Sequence, residues 1–172
     1  MKISKVNRIL VLLVMLICCV GCDQATKRIA QQTLATAPVR EYGNGLLRLI
    51  YAENSGAFLG LGSGLAPTLR FWIFTVFVML LLGGVAYFAL RYAAHTPLPM
   101  LIAIALVIGG GLSNLLDRLL YDGHVIDFMQ IGVGWLRTGI FNVADMAIMA
   151  GTFLMMFFLL RHGEVLDGKR VE

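Results

Sequence analysis

Two aspartates stand where an apolar chain has least use for charge. Asp145 is the only charged residue in the run from Thr138 to Leu160, and Asn142 precedes it by three positions. An ionisable residue inside such a run marks a functional site by default. The alternative is a neutral carboxylic acid hydrogen-bonded between helices. A helix beginning near Thr138 would place Asp145 roughly five to seven residues, or about 10 Å, along its length. Asp127 is the natural partner, because the strand-like stretch that carries it can fold back over the helix of Asp145. Two carboxylates brought together cannot both ionise cheaply, so one stays protonated and the pair shares a proton. One ionised and one neutral carboxyl together can activate water at a peptide carbonyl and protonate the leaving amine.

Other polar residues persist at the edges of apolar segments. Asp23 and Lys27 are spaced i,i+4, with the acid N-terminal to the base, an order that favours an ion pair on one helical face. Such a pair either binds something or simply lets a helix end among headgroups. Asn114 and Arg118 repeat the i,i+4 spacing with Asp117 between them, and Gly110 and Gly111 lie one turn earlier. An amide and a guanidinium on one face can grip carbonyls or a phosphate, and the glycines allow close approach of a neighbouring backbone or a substrate. A packing patch with a capped helix end is the plainer reading. His124 reads as a loop histidine without a placed partner. No Ser–His or Cys–His pair stands at the same interface, so a covalent nucleophile is not indicated. Cys18, Cys19 and Cys22 cluster in one apolar run and fit no disulfide framework. With His95, His124 and His162 widely separated, no metal-ligand spacing appears.

Positioning these groups falls to long apolar elements. Of the 172 residues, 59% are hydrophobic and 14% charged, against about 45–50% and about 25% in ordinary soluble domains. The mean hydropathy is +0.82. A disordered chain is excluded by this composition. A soluble nucleic-acid binder is excluded because the basic residues are scattered rather than striped, despite a pI near 9.2. The expected class is an all-α integral membrane protein, in one domain over 1–172, with spans at about 9–28, 71–90, 97–116 and 138–160. Each is close to the ~20 residues needed to cross a bilayer core. Four spans put both termini on one side. The 14 Lys and Arg divide evenly between the two sides, counting Lys2, Lys169 and Arg170 in the tails. The basic start before Ile9 then favours cytoplasmic termini, because the first helix usually dominates. Gly43-Asn44-Gly45 signals a turn, Leu46–Ala52 and His124–Ile131 read as strands, and Gly132–Gly139 can return as another. A small extracytoplasmic sheet capping the helix ends is expected. No internal repeats, low-complexity tracts or linkers are visible. Val20-Gly21-Cys22 resembles the end of a lipoprotein signal peptide, but three further spans follow it, and a role for Asp23 and Lys27 requires the first helix to be retained.

The blocks Asp23-Gln24-Ala25-Thr26-Lys27, Asn54-Ser55-Gly56-Ala57-Phe58, Gly110 to Arg118, Val125-Ile126-Asp127-Phe128 and Phe141-Asn142-Val143-Ala144-Asp145 occur in that order. Together they resemble the bacterial lipoprotein signal peptidases (signal peptidase II), four-span aspartyl peptidases, over nearly the whole chain. The resemblance implies that Asp127 and Asp145 are the catalytic pair. It implies that Asn54, Gly56, Asn114, Arg118 and Asn142 position substrate or support the pair, and that Asp23 and Lys27 help shape the site. It further implies a diacylglyceryl-modified prolipoprotein as substrate, cut on the amino side of the lipidated cysteine. No metal or organic cofactor, a monomer among membrane lipids and an active site near the outer face of the cytoplasmic membrane complete the expectation. Ser113 stands where the family often has Gly, and a single Ala57 precedes Phe58 where many members have two. A small ion- or proton-coupled transporter is the main rival, since intramembrane acids also mark proton pathways. Transporters often show repeated halves, and none is visible here. A non-catalytic scaffold would have no reason to place two acids at converging helix ends.

Overall fold

The computed structural model describes the backbone of residues 4–166 and the side chains of residues 4–161. Lys2, Lys169, Arg170 and the His162 side chain lie outside that description. Four helices carry the chain: α1 (Lys5–Leu34), α2 (Pro67–Tyr92), α3 (Leu98–Leu120) and α4 (Val143–Leu166). All four are long and apolar enough to cross a membrane. Their outward faces carry exposed Leu, Phe, Ile and Met side chains, as lipid-facing helices require.

Helix α1 starts where Ser4 accepts a hydrogen bond from the Asn7 backbone N at 3.2 Å, a serine N-cap. It runs 30 residues, about 45 Å at 1.5 Å per residue, and so outlasts the bilayer core and the expected end at residue 28. Its last turns bury Ala30 and Leu34 against Phe128 of the sheet, which gives the extra length something to pack on. Helix α2 begins at Pro67, four residues before the expected span, because a proline at the first helical position needs no N–H partner. Its residues Phe71–Phe77 are π-helical. At the opposite end of the bundle Arg8 donates to the backbone oxygens of Ala93 and Thr96, tying α1 to the α2–α3 turn.

The sheet is antiparallel in the order β1 (Arg40–Tyr42), β2 (Leu47–Asn54), β3 (Val125–Val133), β4 (Leu136–Arg137). The β1–β2 turn is built on three successive left-handed residues, Gly43, Asn44 and Gly45. Ala52 pairs with Asp127 and Asn54 with Val125, which brings the Asn54 loop beside the first aspartate. Strand β3 does not alternate between exposed and buried at its start: Val125 to Phe128 are all buried, since the strand lies over the helix ends and under the loop.

Helix α4 begins at Val143, not at Thr138. Phe141 bridges to Met129 and keeps the preceding stretch extended. Asn142 then caps the helix: its Oδ1 accepts from the Asp145 backbone N at 2.8 Å, while Asp145 Oδ2 accepts from the Asn142 backbone N at 3.2 Å. This reciprocal pair is a capping box made from an amide and an acid. Asp145 therefore sits in the first turn of α4 rather than about 10 Å inside it. Gly110 sets how closely α3 and α4 approach: a Cβ there would collide with the Ala144 carbonyl and lie 2.8 Å from Ile148 Cγ1.

Candidate active site

Where the sheet meets the helix ends, polar groups from every part of the fold converge in a buried cluster. Asp23, Lys27, Asp117, Asp127 and Asn142 are at most 1% exposed, and Asn114 and Asp145 at most 8%. Buried charges at this density require complete pairing.

Lys27 supplies it at the base. Its ammonium has three protons, and three acceptors surround it: Asp23 Oδ2 at 2.6 Å, Asp117 Oδ2 at 2.8 Å and Asn114 Oδ1 at 2.8 Å. Each of the two acids uses further lone pairs on backbone. Asp23 Oδ1 accepts from the Ala144 N at 2.7 Å, and Asp117 Oδ2 accepts from the Ile126 N at 3.1 Å. Those amides belong to the residues immediately before Asp145 and Asp127. One lysine thus holds two acids, and each acid pins the backbone that presents one aspartate. Ser113 Oγ donates to Asp23 Oδ2 at 2.8 Å and accepts from Gln24 Nε2 at 3.0 Å, and Gln24 also donates to Asp117 Oδ1 at 2.7 Å.

The second layer holds the aspartates themselves. Asn114 accepts from Lys27 and, through the same oxygen, from Asn142 Nδ2 at 3.1 Å. Its amide is thereby oriented so that Nδ2 donates to Asp145 Oδ1 at 3.0 Å. Asn142 Nδ2 donates to Asp127 Oδ1 at 2.7 Å, while the same residue caps Asp145. Asp127 Oδ2 accepts from Asn54 Nδ2 at 2.9 Å. Burial pushes the Asp127 carboxyl up to about 7, and the Asp145 carboxylate adds to that rise, against the hydrogen bonds from Asn54 and Asn142 and the charge of Lys27.

Asn54, Gly56 and Arg118 form the outer rim. Asn54 Oδ1 accepts from the Gly56 N at 2.9 Å, and Arg118 donates to the Gly56 carbonyl at 2.8 Å and the Asn114 carbonyl at 3.3 Å. A Cβ on Gly56 would come within 2.5 Å of the Leu61 carbonyl oxygen, so the loop after β2 closes on this glycine. Two cavities reach the cluster from different sides. One, about 380 Å³, is bounded by Phe74, Val78, Met149 and Phe153 and reaches Asn114, Arg118 and Asp145; the other, about 280 Å³, is bounded by Asn54, Ser55, Ser63 and Asp127.

The sequence singled out Asp23, Lys27, Asn54, Gly56, Asn114, Arg118, Asp127, Asn142 and Asp145, and the structure brings them together at one end of the bundle. It adds Asp117, Gln24 and Ser113. Ser113 and Asp117 lie one turn apart on α3, at i,i+4 spacing. Ser113 is fully buried, and its hydroxyl ties α3 to α1 through Asp23 and Gln24. Among the described residues the His124 side chain bonds the Tyr121 carbonyl, at 3.1 Å, and none of the cluster.

The profile of signal peptidase (SPase) II matches residues 15–161. The chain belongs to the signal peptidase II family. It is 36% identical to a lipoprotein signal peptidase from Leifsonia xyli over 97% of this chain and 74% of that one, and 32% identical to one from Clostridium novyi over 83% and 92%. Its fold is similar to a bacterial membrane enzyme solved by the in meso method at 2.3 Å, with a TM-score of 0.77, 29% identity and 94% of each chain covered. The protein is therefore a multi-pass bacterial membrane protease of the signal peptidase II family, whose activity is the removal of signal peptides from prolipoproteins.

Proposed function

We propose that this signal peptidase II cleaves diacylglyceryl-modified prolipoproteins on the amino side of the lipidated cysteine, with Asp127 and Asp145 activating water. The observation that carries the reading is the double use of Asn142. Its side chain donates to Asp127 and its backbone N to Asp145, so one residue sets the relation between two carboxyls, each of which lines a cavity.

The pair holds one proton. In this scheme Asp127, whose carboxyl burial raises to about 7, carries the proton and Asp145 is the ionised partner. Asp145 takes a proton from water as the water oxygen bonds to the scissile carbonyl carbon. Asp127 donates a hydrogen bond to the developing oxyanion. The tetrahedral intermediate collapses when a proton passes to the leaving nitrogen and the C–N bond breaks. Each assisted transfer contributes roughly 10²–10⁴-fold. The products are a signal peptide ending in a carboxylate and a lipoprotein beginning with the amine of the modified cysteine. No covalent enzyme intermediate, metal or organic cofactor enters these steps.

The apolar cavity between α2, α3 and α4 suits the diacylglyceryl group and the signal segment, since its walls are Phe74, Val78, Met149 and Phe153. Acyl chains left in lipid would anchor the substrate and orient its scissile bond. Asn54, Gly56, Asn114, Arg118 and Asn142 act on the peptide backbone or on the aspartates. The enzyme works as a monomer in contact with membrane lipid. Both termini face the cytoplasm and the sheet end faces outward, a reading supported by four spans and the basic residues Lys5 and Arg8 at the start of α1.

Incubating the purified protein with a diacylglyceryl-modified prolipoprotein in detergent tests this. Mass analysis should find one cut, immediately before the modified cysteine, with EDTA leaving the rate unchanged. Equal cleavage of the unmodified precursor would overturn the substrate reading.

A further inference from the structure

Beside the active site, outside the two cavities already described, lies a third of about 300 Å³, between the start of α2 and the turn after α3. Its walls include Arg70, Arg118, Asp122 and His124. Arg70 forms no ion pair among the described residues. Arg118 turns two guanidinium nitrogens to the Asn114 and Gly56 carbonyls, but its Nε is buried without a hydrogen-bond partner. Two arginines against the single acid Asp122 give the cavity wall a net positive charge, while Arg118 also faces Asp117, Asp127 and Asp145 on its other side. His124 Nδ1 contacts the Tyr121 carbonyl.

The cavity opens among side chains suited to lipid. Phe71 and Leu119, on its wall, are 51% and 59% exposed, and the adjacent Trp72 is 58% exposed. Two arginines with apolar flanks match a phosphate that has hydrocarbon attached to it, because guanidinium binds phosphate through several directed N–H bonds. An aromatic residue beside them sits naturally at headgroup depth.

We propose that this cavity binds the phosphate of an anionic phospholipid headgroup, with the acyl chains lying along the exposed flank of α2 and α3. Arg118 also lines the apolar cavity of the active site. The bound phosphate would thus hold the guanidinium that braces Gly56 and Asn114, and would join the lipid surroundings to the substrate groove. The binding itself does not depend on the proposed chemistry, and its test reads binding rather than cleavage.

Trp72 lies beside the cavity, and the chain has two tryptophans. In a Trp135→Phe background, Trp72 alone reports. The full chain in neutral detergent is titrated with short-chain phosphatidylglycerol, with phosphatidylcholine of the same chain length, and with inorganic phosphate. The expected result is a saturable change in Trp72 emission with phosphatidylglycerol, at least about tenfold weaker with phosphatidylcholine or inorganic phosphate. Arg70→Gln should weaken phosphatidylglycerol binding by about tenfold, the worth of one charge-assisted contact, while Arg70→Lys, which keeps the charge but not the planar fork, should weaken it less. An unchanged thermal midpoint in Arg70→Gln shows that folding is intact, and the lysine variant carries the test if it is not. Equal affinity for the two lipids, or no effect of Arg70→Gln in folded protein, overturns the site. Inorganic phosphate binding as tightly as phosphatidylglycerol would assign the cavity to free phosphate and overturn the lipid occupant.

Discussion

Lys27 Nζ donates to Asn114 Oδ1 at 2.8 Å, so a lysine on the first helix decides which end of an amide on the third faces Asp145. Without that contact only Asn142 Nδ2, at 3.1 Å, holds the Asn114 oxygen and so keeps the NH₂ group on the carboxylate. The same ammonium forms ion pairs with both Asp23 and Asp117, which are fully buried.

Lys27→Met keeps the length of the side chain and removes the charge. Two buried carboxylates then lose their cation, a change that costs about 3–5 kcal/mol when one partner of a buried pair is deleted. Reversible unfolding in mixed micelles should register this loss. Per folded molecule, cleavage should fall but stay measurable, because Lys27 acts through Asn114 and the backbone. Loss as complete as that of an aspartate variant would mean that Lys27 touches substrate.

Ser113 offers a gentler test of the same scaffold. Its hydroxyl joins Asp23 to Gln24, and it is fully buried. Ser113→Ala should lower stability by about 1–3 kcal/mol, the cost of leaving buried polar partners short of a bond. It should lower kcat a few-fold and leave KM unchanged, since the residue meets no substrate. A rise in KM alone would place it on the binding surface instead.

Gly110→Ala probes the α3–α4 approach. A methyl group there runs into the Ala144 carbonyl, one residue from Asp145. Overpacking of this kind costs about 1–3 kcal/mol. Displacement of α4 should reduce kcat by about 10²-fold, the scale of a misplacement near 1 Å. Wild-type kinetics in Gly110→Ala would show that the helices can part without moving the site.

Much of this arrangement was readable in the sequence, for physical reasons that differ by residue. Asp127 and Asp145 are conspicuous because acids are costly in apolar runs. The start of α4 was also readable, since Asn142 and Asp145 have capping-box spacing, but hydropathy alone extended the helix back to Thr138. Asp117 is harder: beside Arg118 at a helix end it reads as surface charge, and only the third dimension turns it inward to Lys27 and the Ile126 N. The pairing of the Asn54 loop with Asp127 is a long-range strand contact, which local patterns do not encode. The third cavity depends on how α2 meets the turn after α3, and nothing local in either segment announces it.

The titration of Asp127 sets a pH limit. Its ordinary carboxyl value is 3.8, and in the fold it is pushed up to about 7. The native state therefore binds the proton more tightly than the unfolded chain. This contribution to stability is fully present below about pH 4 and is lost as pH rises through about 7. Catalysis by a singly protonated pair should decline over the same upper range, with kcat/KM falling above about pH 7. Asn54→Ala removes a hydrogen bond to the carboxylate and should move that limb upward. A flat profile from pH 6 to 9 would contradict the shared proton.

The most direct test of the account is the activity of Asp127→Asn and Asp145→Asn against a diacylglyceryl-modified prolipoprotein, with thermal unfolding measured on the same preparations. The account predicts that each variant folds and neither cleaves, since an amide can neither hold the shared proton nor take one from water. Turnover near the wild-type rate in either folded variant would contradict it.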